Sequence, residues 1–227
     1  MKILAIDTAT EACSAAIFVD QKTDSIFEVC PQQHSQKLLP MVEQLLQRNN
    51  QTLSAIDYLV FGRGPGSFTG VRISTGIIQG LALGTEKPVV GISTLAAMAQ
   101  QAIDESQAKL VAVAIDARMD EVYFALFRNE NNLARLIEEE QVLGPEAVLE
   151  GLTEIPDVLC GTGWTAYKAF QQIVEQVGQP SILFPSSSAM IPLAIDAIAQ
   201  GNFSDAENIQ PVYLRDKVTW KKLPGRE

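Results

Sequence analysis

Three features of the sequence predict an α/β fold built from two copies of one supersecondary unit. The segment VAVAIDARMDEVYFALF repeats the opening pattern at a single offset, because Asp7 and Asp116, Ala16 and Ala125, and Phe18 and Phe127 are each 109 residues apart. Strand-like runs interleave with amphipathic helical runs, which implies helices layered on sheets. The chain has 227 residues, enough for two cores of about 100 residues each. The boundary is placed near residue 105, giving lobes 1–105 and 106–227, with the last helix or tail free to pack back on the first lobe.

In chain order, Lys2 to Ile6 and Ala15 to Val19 read as a hairpin whose polar, Thr-rich tip opens at Asp7. An amphipathic helix follows from about Ser35 to Arg48. Its apolar face is Leu38, Leu39, Val42, Leu45 and Leu46, and Pro40 lies early, where a missing donor costs least. A strand at Tyr58–Phe61, a Gly-rich loop, a helix and a strand at Val89–Ile92 complete the first half, and a helix from Thr94 to Glu105 links the halves. The second half repeats the hairpin. It then reads as a strand near Ala134–Gln141, a helix after Gly144–Pro145, a strand at Val158–Cys160, and helices near Ala166–Val177 and Ile191–Gln200.

Composition narrows the chemistry. With 47% hydrophobic and 19% charged residues the chain is an ordinary packed globule. Its net charge of -10 repels a phosphate backbone, so this chain alone is not expected to grip nucleic acid. Cys13, Cys30 and Cys160 form neither a CxxC nor an even set, which argues against a disulfide framework or thiolate zinc site and for a reducing cytoplasm. The N-terminus has too short an apolar run for a signal peptide, and nowhere do about 20 apolar residues run unbroken. The one histidine, His34, leaves Ser-His-Asp, HExxH and multi-His sites without their members. On its own it reads as a cap or surface residue, or as an isolated base.

The most distinctive stretch runs from Phe61 to Arg72, with glycines at 62, 64, 66 and 70 between a strand and a helix. Such a loop can cradle phosphate, although neither Walker A nor GxGxxG spacing is met; it also reads as a tight turn with Ser67 or Thr69 capping the helix. Beyond it, Gly70, Ile73, Ser74, Ile77, Gly80, Leu81 and Gly84 share one broad helical face. Each interior glycine costs roughly 1 kcal/mol against alanine, so a close approach must offset it: to this chain's own sheet, or to a helix of another chain alongside Leu38, Val42 and Leu46. Asp7 and Asp116 read as paired carboxylates able to hold a magnesium-phosphate group between lobes, or as turn-forming aspartates. Arg63 and Arg72 flank the loop and read as anion contacts or surface ion pairs.

The segments LAIDTATEACSAAI, HSQKLLPMV, GRGPGSFTGVRISTGIIQGLALG and IDARMDEVYFALF closely resemble the TsaB (YeaZ) family over essentially the whole chain. The resemblance implies an actin-like, sugar-kinase-like (ASKHA) fold of two duplicated lobes with mixed sheets flanked by helices. It also implies a cytoplasmic, non-catalytic subunit for making threonylcarbamoyladenosine at position 37 of tRNAs reading codons that begin with A. The family binds a catalytic paralogue, TsaD, with the ATPase TsaE as a further partner, and forms homodimers when alone. No tightly bound cofactor and no metal are expected, ATP, ADP and metal belonging to the partner subunits, and tRNA is reached through the complex. TsaD-type chains carry an HxxxH metal pair where this sequence has Thr94 and Met98, and neither replaces imidazole for a hard metal. The hairpin Asp7-Thr8-Ala9-Thr10 lacks a phosphate-wrapping glycine, so Asp7, Thr8, Thr10 and Asp116 are expected to be at most a vestigial nucleotide site. The helices starting near Ser35 and Ser67 are the expected docking surface. An ATP-dependent phosphotransferase of the same fold, or a peptidase, are the rival readings.

Overall fold

The computed structural model describes residues 1–215. Two five-stranded mixed sheets are built on one plan. In the first, β1 (Ile3–Asp7), β2 (Ala12–Val19) and β3 (Lys22–Val29) form an antiparallel meander, while β4 (Tyr58–Gly64) and β5 (Val89–Ser93) run parallel to β1, giving the order β3-β2-β1-β4-β5. In the second, β6 (Leu110–Arg118), β7 (Glu121–Glu130) and β8 (Leu133–Leu136) repeat the meander, β10 (Val158–Cys160) runs parallel to β6, and β9 (Gln141–Leu143) pairs with β7. This is the expected actin-like arrangement of duplicated lobes with mixed sheets flanked by helices.

Strand alternation distributes the helices. Leu4, Ile6, Cys13, Ala15 and Ile17 face α1 (His34–Arg48) and α2 (Phe68–Thr85) on the outer side of the first sheet. Ile3, Ala5, Ala16 and Phe18 face inward onto α7 (Ser187–Ala199). The inner side of the second sheet, with Val111, Val113, Ile115, Ala125 and Phe127, is covered by α3 (Thr94–Ser106). On its outer side, Trp164 and Phe170 pack against Ala112, Ala114 and Phe124, beside α4 (Pro145–Gly151), α5 (Gly163–Ala166) and α6 (Gln171–Val177). Helices α3 and α7 touch each other and form a middle layer between the sheets. Polar ties lock α7 onto β2: the Ser187 amide donates to Ser14 Oγ at 2.9 Å and Ser187 Oγ donates to the Ser14 carbonyl at 2.9 Å.

The 109-residue repeat holds for the strand plan, but the pairing of the second hairpin is shifted by one residue along its length. In the first hairpin Ala5 lies opposite Ala16 and Asp7 opposite Ser14; in the second, Ala114 lies opposite Phe124 and Asp116 opposite Val122, one residue out of the gapless register. A β-bulge between Asp116 and Arg118 absorbs the difference, and the chain reverses through Met119 and Asp120, both at positive φ. Because one residue of slip reverses the face, Ala16, Phe18, Ala125 and Phe127 all face inward, whereas Asp7 and Asp116 do not share a side.

Four local readings need correction. An additional edge strand, β3, precedes α1; its buried face is sparse and its neighbours Asp20 and Gln21 form a positive-φ turn without glycine. The stretch at Ala134–Gln141 is two short strands separated by a bend rather than one. The expected Ala166–Val177 helix is broken at Tyr167, whose extended backbone lets Phe170 fold under Trp164, with ring centroids 4.7 Å apart. The last helix begins at Ser187, four residues earlier than expected, where Ser186 accepts from the Ser188 amide as its cap.

Candidate functional site: the interlobe cleft and the outer helical face

A cleft of about 720 Å³ opens where the two hairpin tips meet. The first lobe contributes Ala9, Thr10 and Glu11 from the β1–β2 turn, His34 at the start of α1, and Pro65–Phe68 from the Gly-rich loop. The second contributes Ile115–Met119, Tyr123 and Thr162, and residues 212–215 run along the rim. The Gly-rich loop is shaped by packing. A Cβ on Gly70 would overlap the Thr8 carbonyl oxygen, and one on Gly66 would overlap that of Ala9. The loop amides are partly spent inside the protein, since Ser67 N donates to the Ala9 carbonyl at 2.7 Å and Ser67 Oγ caps α2 by accepting from Gly70 N.

The structure divides the four proposed nucleotide residues. Thr10 and Asp116 line the cleft; Asp7 and Thr8 lie buried behind it. Thr8 Oγ1 donates to the Gly70 carbonyl at 2.7 Å. Asp7 Oδ1 accepts from Ala9 N at 3.0 Å, but Oδ2 has no partner among the described residues and sits against Gly62, close to Met190. Burial pushes the Asp7 carboxyl up to about 7, only partly countered by the Ala9 hydrogen bond. Asp116 is engaged by its own lobe: Tyr167 donates to Oδ1 at 2.8 Å, Arg118 N donates to Oδ1 at 2.9 Å, and the Arg118 guanidinium donates to Oδ2 at 2.8 Å. Burial, then the bond to Asp116, pushes the Tyr167 hydroxyl up to about 12. The two aspartates therefore do not face one another as a magnesium-phosphate clamp.

Thr94 and Met98 are fully buried; Met98 belongs to the inner core of the second sheet and Thr94 Oγ1 has no partner among the described residues. A hydroxyl and a thioether sunk in a core do not fit a catalytic metal. Among the described residues no three His, Cys, Asp or Glu side chains gather as a metal site. His34 is buried, with Nε2 unpartnered among the described residues, so no Ser-His pair forms among them. Arg63 lies 3.5 Å from Glu140, a second-lobe carboxylate that also accepts from Ser93, while Arg72 stacks 3.7 Å over Phe68.

The proposed docking face splits in the same way. Leu38, Val42, Gly70 and Ser74 are buried in this chain's own core, and Ser74 Oγ donates to the Gly62 carbonyl at 3.2 Å. They are not surface positions, because the broad face drawn on the helical wheel includes the arc that packs on the sheet. Leu46, Ile77 and Leu81 are half-buried against the same core, and Ile73 is half-buried beside them. Gly80 and Gly84 are exposed, together with Gly76, and a Cβ on any of the three meets nothing within 4 Å among the described residues. On the same helix Leu83 is 61% exposed, and on α1 Leu39 is 47% exposed. The docking face drawn from the sequence leaves out Gly76, although Gly76 shares the four-residue step of Gly80 and Gly84. Leu83 and the rim residues 212–215 were missed, and nothing local marks the rim.

Comparison with known proteins places this geometry. A family model described as TsaD, tRNA N6-adenosine threonylcarbamoyltransferase, matches residues 26–216. The tRNA threonylcarbamoyladenosine biosynthesis protein TsaB of Escherichia coli K12 is 48% identical, covering all of both chains, and that of Haemophilus influenzae Rd is 43% identical, covering 100% of this chain and 99% of the relative. The structure of YeaZ from Pseudomonas aeruginosa superposes with a TM-score of 0.82 at 42% identity, over 94% of this chain and 99% of that one. A second crystal structure, described as an uncharacterized protein with similarity to the peptidase YeaZ from Pseudomonas aeruginosa, gives 0.84 at the same identity and coverage. With full-length identity near one half and a shared two-lobed structure, this chain belongs to the TsaB (YeaZ) family.

Proposed function

We propose that this chain is a non-catalytic subunit needed for threonylcarbamoylation of adenosine 37 in tRNAs reading codons that begin with A. It binds and stabilises the catalytic paralogue TsaD, works with TsaE, and contacts tRNA through that complex; alone, it pairs with a second copy through the same face. The observation that carries the reading is the outer arc of α2. Three glycines of the helix, Gly76, Gly80 and Gly84, are exposed with open space beyond them among the described residues, and Leu83 on the same helix and Leu39 on α1 are exposed as well. Among the described residues nothing offsets their cost of roughly 1 kcal/mol each against alanine, so the close approach that glycine permits is assigned to another helix. The buried Asp7 and the self-paired Asp116 favour this over a phosphotransferase, and His34, unpartnered among the described residues, disfavours a peptidase. No helix among the described residues is long and apolar enough to cross a membrane.

Two measurements test it. Purified chain, TsaD and TsaE are mixed with tRNA and threonylcarbamoyl transfer is assayed with each component omitted; transfer is expected to fall to background without this chain, and undiminished modification would sink the reading. Separately, Gly80→Leu is expected to weaken TsaD binding at least tenfold, about 1.4 kcal/mol, by calorimetry. The free variant should melt no lower than the parent, because leucine improves helix propensity at an open site. Unchanged affinity would mean that this arc is not the docking surface.

A further inference from the structure

The rim of the cleft carries a feature that the subunit reading does not use. Residues Val212–Arg215 form neither strand nor helix, yet within four residues they bond to both lobes. On the first lobe, Val212 N donates to the Arg63 carbonyl at 2.7 Å, and the Tyr213 ring stacks on Phe68 at 5.5 Å. Arg72 Nε also donates to the Tyr213 hydroxyl at 2.9 Å. On the second lobe, the Arg215 guanidinium donates to the carbonyls of Ala117 at 3.0 Å and Arg118 at 3.2 Å, and pairs with the Glu121 carboxylate. Its partners are the bulge and turn of the second hairpin, which form the far wall of the cleft.

We propose that Val212–Arg215 is a releasable latch that ties the two lobes together across the cleft mouth and sets how far they open. The lobes are joined at the back by the apolar α3–α7 layer, which serves as the hinge. Among the described residues two ion pairs cross between the lobes: Arg63 with Glu140 at 3.5 Å, outside the cleft lining, and, at the mouth, Arg118 with Glu11, at 3.9 Å and largely exposed. Such a pair contributes little. Arg215 is different: it is only 16% exposed in its side chain, and its planar fork satisfies two carbonyls and a carboxylate at once, which a lysine cannot reproduce. The latch is releasable because a short irregular segment opens at lower free energy than core strands do. Its first-lobe end rests on Phe68 and Arg72, the first turn of α2, so strain on either lobe reaches the other through it.

Reciprocity distinguishes a latch from a tail that merely packs down. Hydrogen exchange is followed on the full chain and on Arg215→Ala, Arg215→Lys and Tyr213→Ala variants, with small-angle scattering alongside. Arg215→Ala and Arg215→Lys should raise exchange at the Val212 amide at least tenfold, although that amide is bonded to the opposite lobe. Tyr213→Ala should do the same for residues 117–120, and the radius of gyration should increase in all three while β1 and β6 stay protected. Changes confined to the mutated end, or an unaltered radius of gyration, would overturn the proposal. If Arg215→Ala loosens β1 and β6 as well, Glu121→Gln removes only the carboxylate, and the same reading of its Val212 amide decides.

Discussion

Replacing Asp7 by Asn is expected to flatten the pH dependence of stability by about 2 to 3 kcal/mol between pH 5 and pH 8. The cause is the buried carboxyl at the end of β1, whose Oδ2 has no partner among the described residues and whose pKa burial raises from 3.8 to about 7. Between those values the folded state holds a proton that the unfolded chain has released, so stability falls as pH rises and levels off above about 7. One proton of difference between the two states costs about 1.36 kcal/mol for every pH step of one, and two such steps separate pH 5 from pH 7. Asparagine cannot ionise, so the variant's own decline should be smaller by that amount whatever its absolute stability. Urea unfolding of both proteins at pH 5, 6, 7 and 8 measures it. Parallel profiles would mean that the carboxyl is ionised in the folded protein and finds compensation.

Gly161→Ala is expected to destabilise the protein by roughly 3 kcal/mol or more. Gly161 follows β10 at φ +102, a conformation side chains rarely adopt, and its Cβ would overlap the Ala114 carbonyl oxygen on β6. Neither constraint can relax cheaply: Gly161 N is bonded to the Ile182 carbonyl at 2.7 Å, and β6 is the central strand that β10 and β7 flank. Gly80→Ala, at an open helical site, is the matched control and should not destabilise. Thermal unfolding of the two variants side by side checks the contrast, and equal melting temperatures would contradict it.

Much of this architecture was legible locally. The AID triplets marked β1 and β6, strand and helix periods located β4, α2, β5 and α3 within a few residues, and the duplicated hairpin foretold two matching sheets. What escaped depended on pairing at a distance. Strand β3 is polar on most of its length because an edge strand is held by its backbone bonds to β2 rather than by burial. The one-residue slip at Asp116 follows from a bulge, which no composition signals. The helical wheel put these α2 residues on one broad face but could not say which arc meets the sheet; Gly70 and Ser74 are buried, Gly80 and Gly84 exposed. Likewise, the Tyr213 and Arg215 contacts join residues 141 and 94 positions from their partners Arg72 and Glu121, beyond the reach of any periodicity.

The layer of α3 and α7 between the sheets bears on how the chain is made. The apolar surface of Ile3, Ala5, Phe18, Val60 and Val90 is covered by α7, whose residues begin at Ser187. At a synthesis rate of about 5–20 residues per second, roughly 4 to 16 seconds separate the end of α3 from that helix leaving the ribosome. For that interval the nascent first half displays a bare hydrophobic wall. A gene cut at the duplication would make the exposure permanent, so neither half is a minimal unit for expression.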